Sequence, residues 1–333
     1  MSDSLKVLIV AGGTTHERDV SLRSGRRVKT LLRARGHEVK FVQLNDRMLE
    51  SIGEFEPDVV WPLVHGSVGE DGSLQALLET AGRAFVGTHS MQAGLAFQKP
   101  MAKGLLGSAG LATPGWLTLP RALFRELGTN QVMETIGSRL VYPVVVKPTD
   151  GGSALGISVA DDEVELRAAM VDAFAYGTRV MVEQLVEGRE VAVSVLDLEE
   201  GPAALPPVEV ATDDGRYDYQ ARYTTDETEY FVPARLSDTE TDAIVQAAIE
   251  AHVALGMRHL SRMDFIVDSD GVPWFLDANV MPGMTDTSLF PQAADAAGSF
   301  EEVCDRIVRF AAADTDEVAG EDAGSDEGVV ATD

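Results

Sequence analysis

The chain has 333 residues, 27 Lys and Arg against 54 Asp and Glu, and 45% hydrophobic residues, enough apolar material for two or three packed domains. Its formal charge of −27 excludes a nucleic-acid or anionic-membrane surface, since both need clustered cations. The single Cys304 excludes a disulfide framework and a Cys-rich zinc site, and no apolar run approaches the ~20 residues of a membrane span.

From the amino end, residues 6–11 read as a short apolar strand, too short for a signal peptide and running straight into Gly12-Gly13. A cytoplasmic protein is expected. Helical spacing follows over 20–35, then strands at 37–44 and 59–64, a helix at 73–80 and a strand at 84–87. A long helix is expected over 91–110. Strand–helix alternation of this kind predicts a doubly wound parallel sheet, α/β in class, with functional loops at the carboxyl ends of its strands. From about residue 112 the pattern becomes α+β. It has an extended segment at 113–119, a helix at 121–136, a buried strand at 143–148, a glycine-rich loop at 151–156, a helix at 163–176 and a strand at 179–184. Strands around 190–198, 262–267 and 272–276 and helices at 237–255 and 299–313 complete the ordered chain. Residues 314–333 carry eight acids and no Lys or Arg, the composition of a disordered acidic tail.

The most informative segment is 261–279. Asp270-Gly271 between two apolar runs signals a two-residue hairpin turn. That turn places Asp264 opposite Asp277 and Arg262 opposite Asn279, and a side-chain period of two puts all four on one face. Two carboxylates facing each other repel, so something positive is expected between them. Two carboxylates and an Asn carbonyl are hard oxygen ligands that suit Mg²⁺ completed by nucleotide phosphates and water. The plain alternative pairs one acid with Arg262 and leaves the other solvated.

Other motifs are less specific. The loop at 150–156 follows a strand ending in Lys147-Pro148, and its glycines would let backbone N–H groups approach phosphate, yet it equally reads as a plain hairpin. The Gly12–Asp19 segment lacks the G-x-G-x-x-G dinucleotide fingerprint, which disfavours hydride transfer. Glu17 there could hold a substrate ammonium or cap the helix with Asp19. His65 reads as structural as readily as functional. Met257, Met263 and Met284 read as packing residues, and Cys304 as buried.

Taken together, GGTTHERDVSLRSG at 12–25, HGSVGEDGSLQ at 65–75, YPVVVKP at 142–148, EQLVEGRE at 183–190, YDYQARYTTDETEYFVPA at 217–234 and DANVMPGMTDTSLFP at 277–291 resemble the D-alanine–D-alanine ligase family of the ATP-grasp superfamily, collinearly over about residues 5–312. The resemblance implies a three-domain ATP-grasp fold. Its parts are an N-terminal substrate-binding domain (1–98), a central domain with a glycine-rich flap (99–184) and a C-terminal domain (185–313). It implies that Glu17 binds the first substrate's ammonium, with His65 nearby, and that Lys99 and Lys147 contact ATP phosphates under a flap carrying Ser153. Glu183, Gln184, the Val186 backbone and Glu190 would hold adenine and ribose. Asp264, Asp277 and Asn279 would bind two Mg²⁺, with Mn²⁺ able to substitute. Arg262 and the Gly283 N–H would form the oxyanion site, Ser288, Leu289 and Arg222 would take the second substrate, and Tyr223 would lie on a closing loop. A homodimer acting on small amino acids, with no nucleic-acid or membrane partner, is the implied assembly.

The chain departs from the usual family pattern at Gly151, Ala154, Arg222 and Asp277, around the flap and the second-substrate region. D-Serine, D-lactate or another amino acid therefore stands as an alternative acceptor, and a non-catalytic ATP-binding regulator as a remote alternative.

Overall fold

Residues 4–149, 151, 155–212 and 228–314 are described by the computed structural model, and they build three sheets. In the first, Glu38–Gln43, Lys6–Ala11 and Val59–Leu63 run parallel in that order. Every residue of Val59–Leu63 is buried, as an apolar strand in a parallel sheet covered on both faces requires. The strand expected at 84–87 reduces to one parallel bridge between Val60 and Phe85, because Gly87 then turns the backbone to φ +112°.

The Arg18–Ala34 helix packs on this sheet, and so does the Phe300–Ala313 helix from the far end of the chain. The latter buries Phe300, Val303, Cys304, Ile307, Val308 and Ala311, the three- and four-residue spacing of an amphipathic stripe. Val7, Ile9 and Trp61 therefore share one core with Ile307 and Val308. Each such large side chain contributes roughly 1.5–3 kcal/mol by leaving water.

The helix expected over 91–110 is in fact two helices, Ser90–Phe97 and Lys99–Ser108, with Gln98 extended between them. Pro100 accounts for the break: it has no N–H to give the Ala96 carbonyl, and its ring would clash there. Lys99 thereby opens the second helix, and its N–H donates to Thr149 O at 3.3 Å. The helix expected over 121–136 splits in the same way, at Gly128, into Arg121–Leu127 and Thr129–Gly137.

The second sheet is antiparallel, in the order Trp116–Pro120, Arg179–Gln184, Val144–Pro148, Ser158–Ala160. The Glu163–Ala173 helix, capped by the Asp162 carboxylate, closes a small core around Val146, Leu166, Met170 and Val182. The third sheet is also antiparallel. It runs Thr228–Phe231, Val208–Thr212, Arg189–Leu198, His259–Val267, Pro273–Asn279, with Gly201–Ala204 pairing Arg189–Leu198. The Asp238–Ala254 helix begins with a Ser237/Glu240 capping box and shares a core with this sheet and with both helices of 90–108. Helices Met48–Phe55 and Leu289–Ala297 and the short strands at 158–160, 201–204, 208–212 and 228–231 are additional to the sequence reading.

The hairpin keeps the expected site pairing by a different route. Its loop holds three residues, 269–271, closed by the Asp268 N–H to Val272 O and Gly271 N–H to Asp268 O bonds, each 3.1 Å. Gly271 sits at φ +80°, as an Asp-Gly turn requires, but the two-residue reading left out Ser269, which also belongs to the loop. Near the loop Phe265 pairs with Phe275; an irregularity between Asp264 and Phe265 then restores Asp264 opposite Asp277 and Arg262 opposite Asn279. The acidic tail beyond Asp314 and the expected site residues Ser153, Arg222 and Tyr223 lie outside the described residues.

Candidate active site

A cleft of about 370 Å³ is lined from all three sheets, with Glu17, Gly66, Lys99, Lys147, Asp277 and Asn279 on its walls. Its first wall is the carboxyl end of the parallel sheet. Ser21 Oγ accepts the Gly12 N–H (2.7 Å) and donates to Leu63 O (2.5 Å), which ties the loops after two neighbouring strands together. Glu17 holds the N-cap position of the Arg18–Ala34 helix, yet its side chain makes no capping bond. Thr15 Oγ1 donates to His65 O at 3.1 Å. His65 is buried with its Nε2 3.3 Å from Ser24 Oγ; burial lowers its pKa, opposed by the charge of Glu17.

Glu70 pins this loop. Its carboxyl group accepts the Gly66 N–H at 2.6 Å and the Met281 N–H at 3.4 Å, joining the first wall to the segment after the hairpin. Burial, then the charge of Glu17, pushes its pKa up to about 8. Ser24 Oγ accepts the Met284 N–H (3.0 Å), and Arg27 donates to Thr285 O (2.9 Å) and pairs with Asp286 (3.0 Å). One helix of the first sheet thus fixes the 284–286 loop. Within that loop Ser288 Oγ accepts the Thr285 N–H at 3.0 Å and lies 2.8 Å from Thr285 Oγ1. Gly283 packs closely against Ser288, and Leu289 is buried at the start of its helix.

The hairpin forms the opposite wall, and each of its facing acids has its own cation. Arg262 grips Asp264 in bidentate fashion (2.7 and 2.8 Å), and Asn279 Nδ2 donates to Asp264 Oδ2 at 3.1 Å. Lys99 Nζ donates to Asp277 Oδ2 and to Gly151 O, both at 2.9 Å. The plain alternative is therefore half met: Arg262 does pair with one acid, but Lys99 takes the other. Among the described residues no group of three or more His, Cys, Asp or Glu could hold a metal unaided. Asp264, Asp277 and Asn279 form a hard oxygen set that a divalent cation could use only with further oxygens from a ligand.

Lys147 reaches the cleft from the end of Val144–Pro148 and donates to Glu183 Oε1 at 2.5 Å. Glu183 and Gln184 end the Arg179–Gln184 strand, and the Gln184 N–H donates to Gly115 O at 2.8 Å. The chain then crosses to the third sheet through residues 185–188, which include Val186, and Glu190 follows on Arg189–Leu198. Glu183, Gln184, Val186 and Glu190 all lie outside the cleft lining.

Sequence reasoning passed over Lys103, Ser24 and Arg27, and left Glu70, in the Glu70-Asp71-Gly72 segment after the third strand, ambiguous. Lys103 had a usable signal: it is one of six lysines and lies one helical turn beyond Lys99. The role of Glu70 was hidden because its partners are backbone N–H groups, one of them 211 residues away.

Two antiparallel sheets flanking an acid- and lysine-lined cleft, joined to a parallel sheet, make the ATP-grasp fold. Residues 105–309 match the family described as D-ala D-ala ligase C-terminus. The chain is 37% identical to a D-alanine–D-alanine ligase of Desulforudis audaxviator, over 92% of this chain and 98% of that one. Among solved structures it is similar to a D-Ala:D-Ser ligase of Enterococcus faecalis (TM-score 0.79, 26% identity, 93% of this chain and 100% of that one). It is similar also to a D-alanine–D-alanine ligase of Bacillus anthracis complexed with ATP (TM-score 0.77, 26% identity, 92% and 97%). The chain belongs to the D-alanine–D-alanine ligase family.

Proposed function

We propose that this protein is an ADP-forming ligase that joins two D-alanine molecules into D-alanyl-D-alanine for peptidoglycan precursor synthesis. The observation that carries this reading is one cleft that unites Glu17, a carboxylate not used for capping, with Lys99, Lys147, Asp277 and Asn279, Asp264 lying opposite Asp277 on the same hairpin.

In this reading Glu17 holds the ammonium of the first D-alanine, with the His65 loop behind it. That substrate's carboxylate attacks the γ-phosphoryl group of ATP, ADP leaves, and an acyl phosphate forms. Lys99 and Lys147 exchange their present acid partners for phosphate oxygens, and Glu183, Gln184, Val186 and Glu190 hold adenine and ribose. Ser288, Leu289 and Arg222 orient the second D-alanine, whose neutral amine attacks the acyl carbon. Arg262 and the Gly283 N–H stabilise the oxyanion, phosphate leaves, and the dipeptide remains. An acyl phosphate hydrolyses in water, so the flap with Ser153 and the loop with Tyr223 close over it. No side-chain nucleophile is required.

The donor set of Asp264, Asp277 and Asn279 fits two Mg²⁺, or Mn²⁺, brought in with nucleotide phosphates; the ions would neutralise charge on the transferring group. Asp264 and Asp277, now paired with Arg262 and Lys99, would be the carboxylates that hold them, with Asn279 beside them. The division into modules 1–98, 99–184 and 185–313 and a homodimeric assembly belong to the same proposal.

The test is ADP release and product mass with ATP, Mg²⁺ and a panel of D- and L-amino acids, D-serine and D-lactate. ADP release that needs D-alanine alone, with D-alanyl-D-alanine as product, supports the reading. Release only with a second, different acceptor assigns the enzyme to that acceptor, and nucleotide binding without amino-acid-dependent turnover refutes catalysis.

A further inference from the structure

Beneath the cleft lies a chain of three buried charges, Lys147, Glu183 and Lys103, and the proposed chemistry gives a role to the first two and none to Lys103. Lys103 is on the Lys99–Ser108 helix, one turn past Lys99, with no exposed side-chain surface. Its Nζ pairs with Glu183 Oε2 at 3.0 Å and donates to Phe275 O at 2.9 Å. The other oxygen of Glu183 belongs to Lys147. A helix, two strands of the second sheet and, through Lys103, the hairpin strand are thus tied to one carboxylate that is 3% exposed.

A fully buried ammonium is costly, and an apolar side chain of similar volume would fill this space more cheaply. The charge therefore has another use. With Lys147 alone, Glu183 would form a closed neutral pair, and moving Lys147 to a phosphate would strand a buried carboxylate. With Lys103 on its second oxygen, Glu183 stays neutralised when Lys147 leaves. Burial works to raise the Glu183 pKa, yet Lys147 and Lys103 together hold it below the ordinary carboxylate range. Burial brings Lys103 down to about 8, which keeps it mostly charged at neutral pH.

We propose that Lys103 is a positioning residue for nucleotide binding: it serves as the standing counter-ion of Glu183, so that Lys147 can transfer from Glu183 to the polyphosphate. The inference rests on the ATP-dependent reading above. It adds a residue that touches neither substrate and acts through Glu183.

The test is equilibrium binding of ATP with Mg²⁺, without amino acids, to the full-length wild type, Lys103→Met, Glu183→Gln and the double variant, together with their steady-state constants. Lys103→Met should weaken ATP binding about tenfold, a coupling of the size usual for directly paired groups. The KM for D-alanine should stay within about twofold. With Glu183 neutral the standing cation is not needed, so the double variant should bind ATP within about threefold of Glu183→Gln alone. Should Lys103→Met fail to fold, that last comparison carries the test. Unchanged ATP binding in Lys103→Met, or equal losses in ATP and D-alanine constants, would overturn the role of Lys103, as would additive losses in the double variant. A wild type that binds no ATP would instead overturn the functional reading.

Discussion

Gly66→Ala should separate the amino-acid half of the cleft from the nucleotide half. Gly66 sits at φ +78°, and a Cβ there would lie 2.7 Å from Glu17 Oε2 and 3.1 Å from Thr15 Cγ2. The peptide cannot retreat easily, because its N–H is held by Glu70 (2.6 Å) and its carbonyl accepts the Glu70 N–H (2.9 Å). The Glu17 carboxylate must give way, by about 0.7 Å to reach ordinary van der Waals contact. Stability should fall by only about 1–2 kcal/mol, the cost of a left-handed non-glycine residue, since the displaced atom ends a flexible side chain. A charge-assisted hydrogen bond to substrate is worth about 1.5–3 kcal/mol, so losing most of one should raise the first-site KM for D-alanine roughly 10- to 100-fold. The KM for ATP should remain within about twofold, because neither Lys99 nor Lys147, the lysines proposed to contact phosphate, is touched. Coupled-enzyme ADP release at varied D-alanine and ATP measures both, and urea unfolding gives the stability. An unchanged first-site KM, or an equal rise in the ATP constant, refutes the assignment of Glu17.

Two further substitutions probe the charged interior. Asp264→Asn leaves the buried Arg262 guanidinium without its bidentate carboxylate and should cost about 3–5 kcal/mol in urea unfolding; adding Arg262→Met should recover much of that loss, and a cost under about 1 kcal/mol contradicts the pairing. Glu70, with its pKa raised by burial to about 8, stays protonated in the folded state where the unfolded chain is already ionised. Folding therefore binds a proton between the ordinary glutamate pKa and pH 8, and stability falls as pH rises through that window. Glu70→Gln removes this slope, so the variant should gain on wild type between pH 5.5 and 8; parallel curves would show that Glu70 titrates normally.

The sequence carried the chemistry of the cleft better than its geometry. Residues next to one another along a strand were legible: a period of two was enough to put Arg262, Asp264, Asp277 and Asn279 on one face. The hairpin pairing came out right although its turn was misread, because the longer loop and the irregularity beside Asp264 offset one another. Helix ends were less legible. Pro100 and Gly128 each broke a periodic pattern that hydrophobic spacing alone ran through. Contacts between segments far apart in the chain were not legible at all. The bonds from Ser24 and Arg27 to the 284–286 loop span more than 250 residues, and no local pattern announces them. Lys103 was hidden for a different reason, since a buried lysine looks like any surface lysine until its partner Glu183 is seen.

The central claim is that one D-alanine carboxylate is phosphorylated and then surrenders its oxygen. Turnover of ATP with D-alanine labelled by ¹⁸O at both carboxylate oxygens tests this directly, with phosphate and dipeptide read by mass in the same sample. The account predicts inorganic phosphate carrying one ¹⁸O for each D-alanyl-D-alanine formed. Unlabelled phosphate beside labelled dipeptide would contradict it.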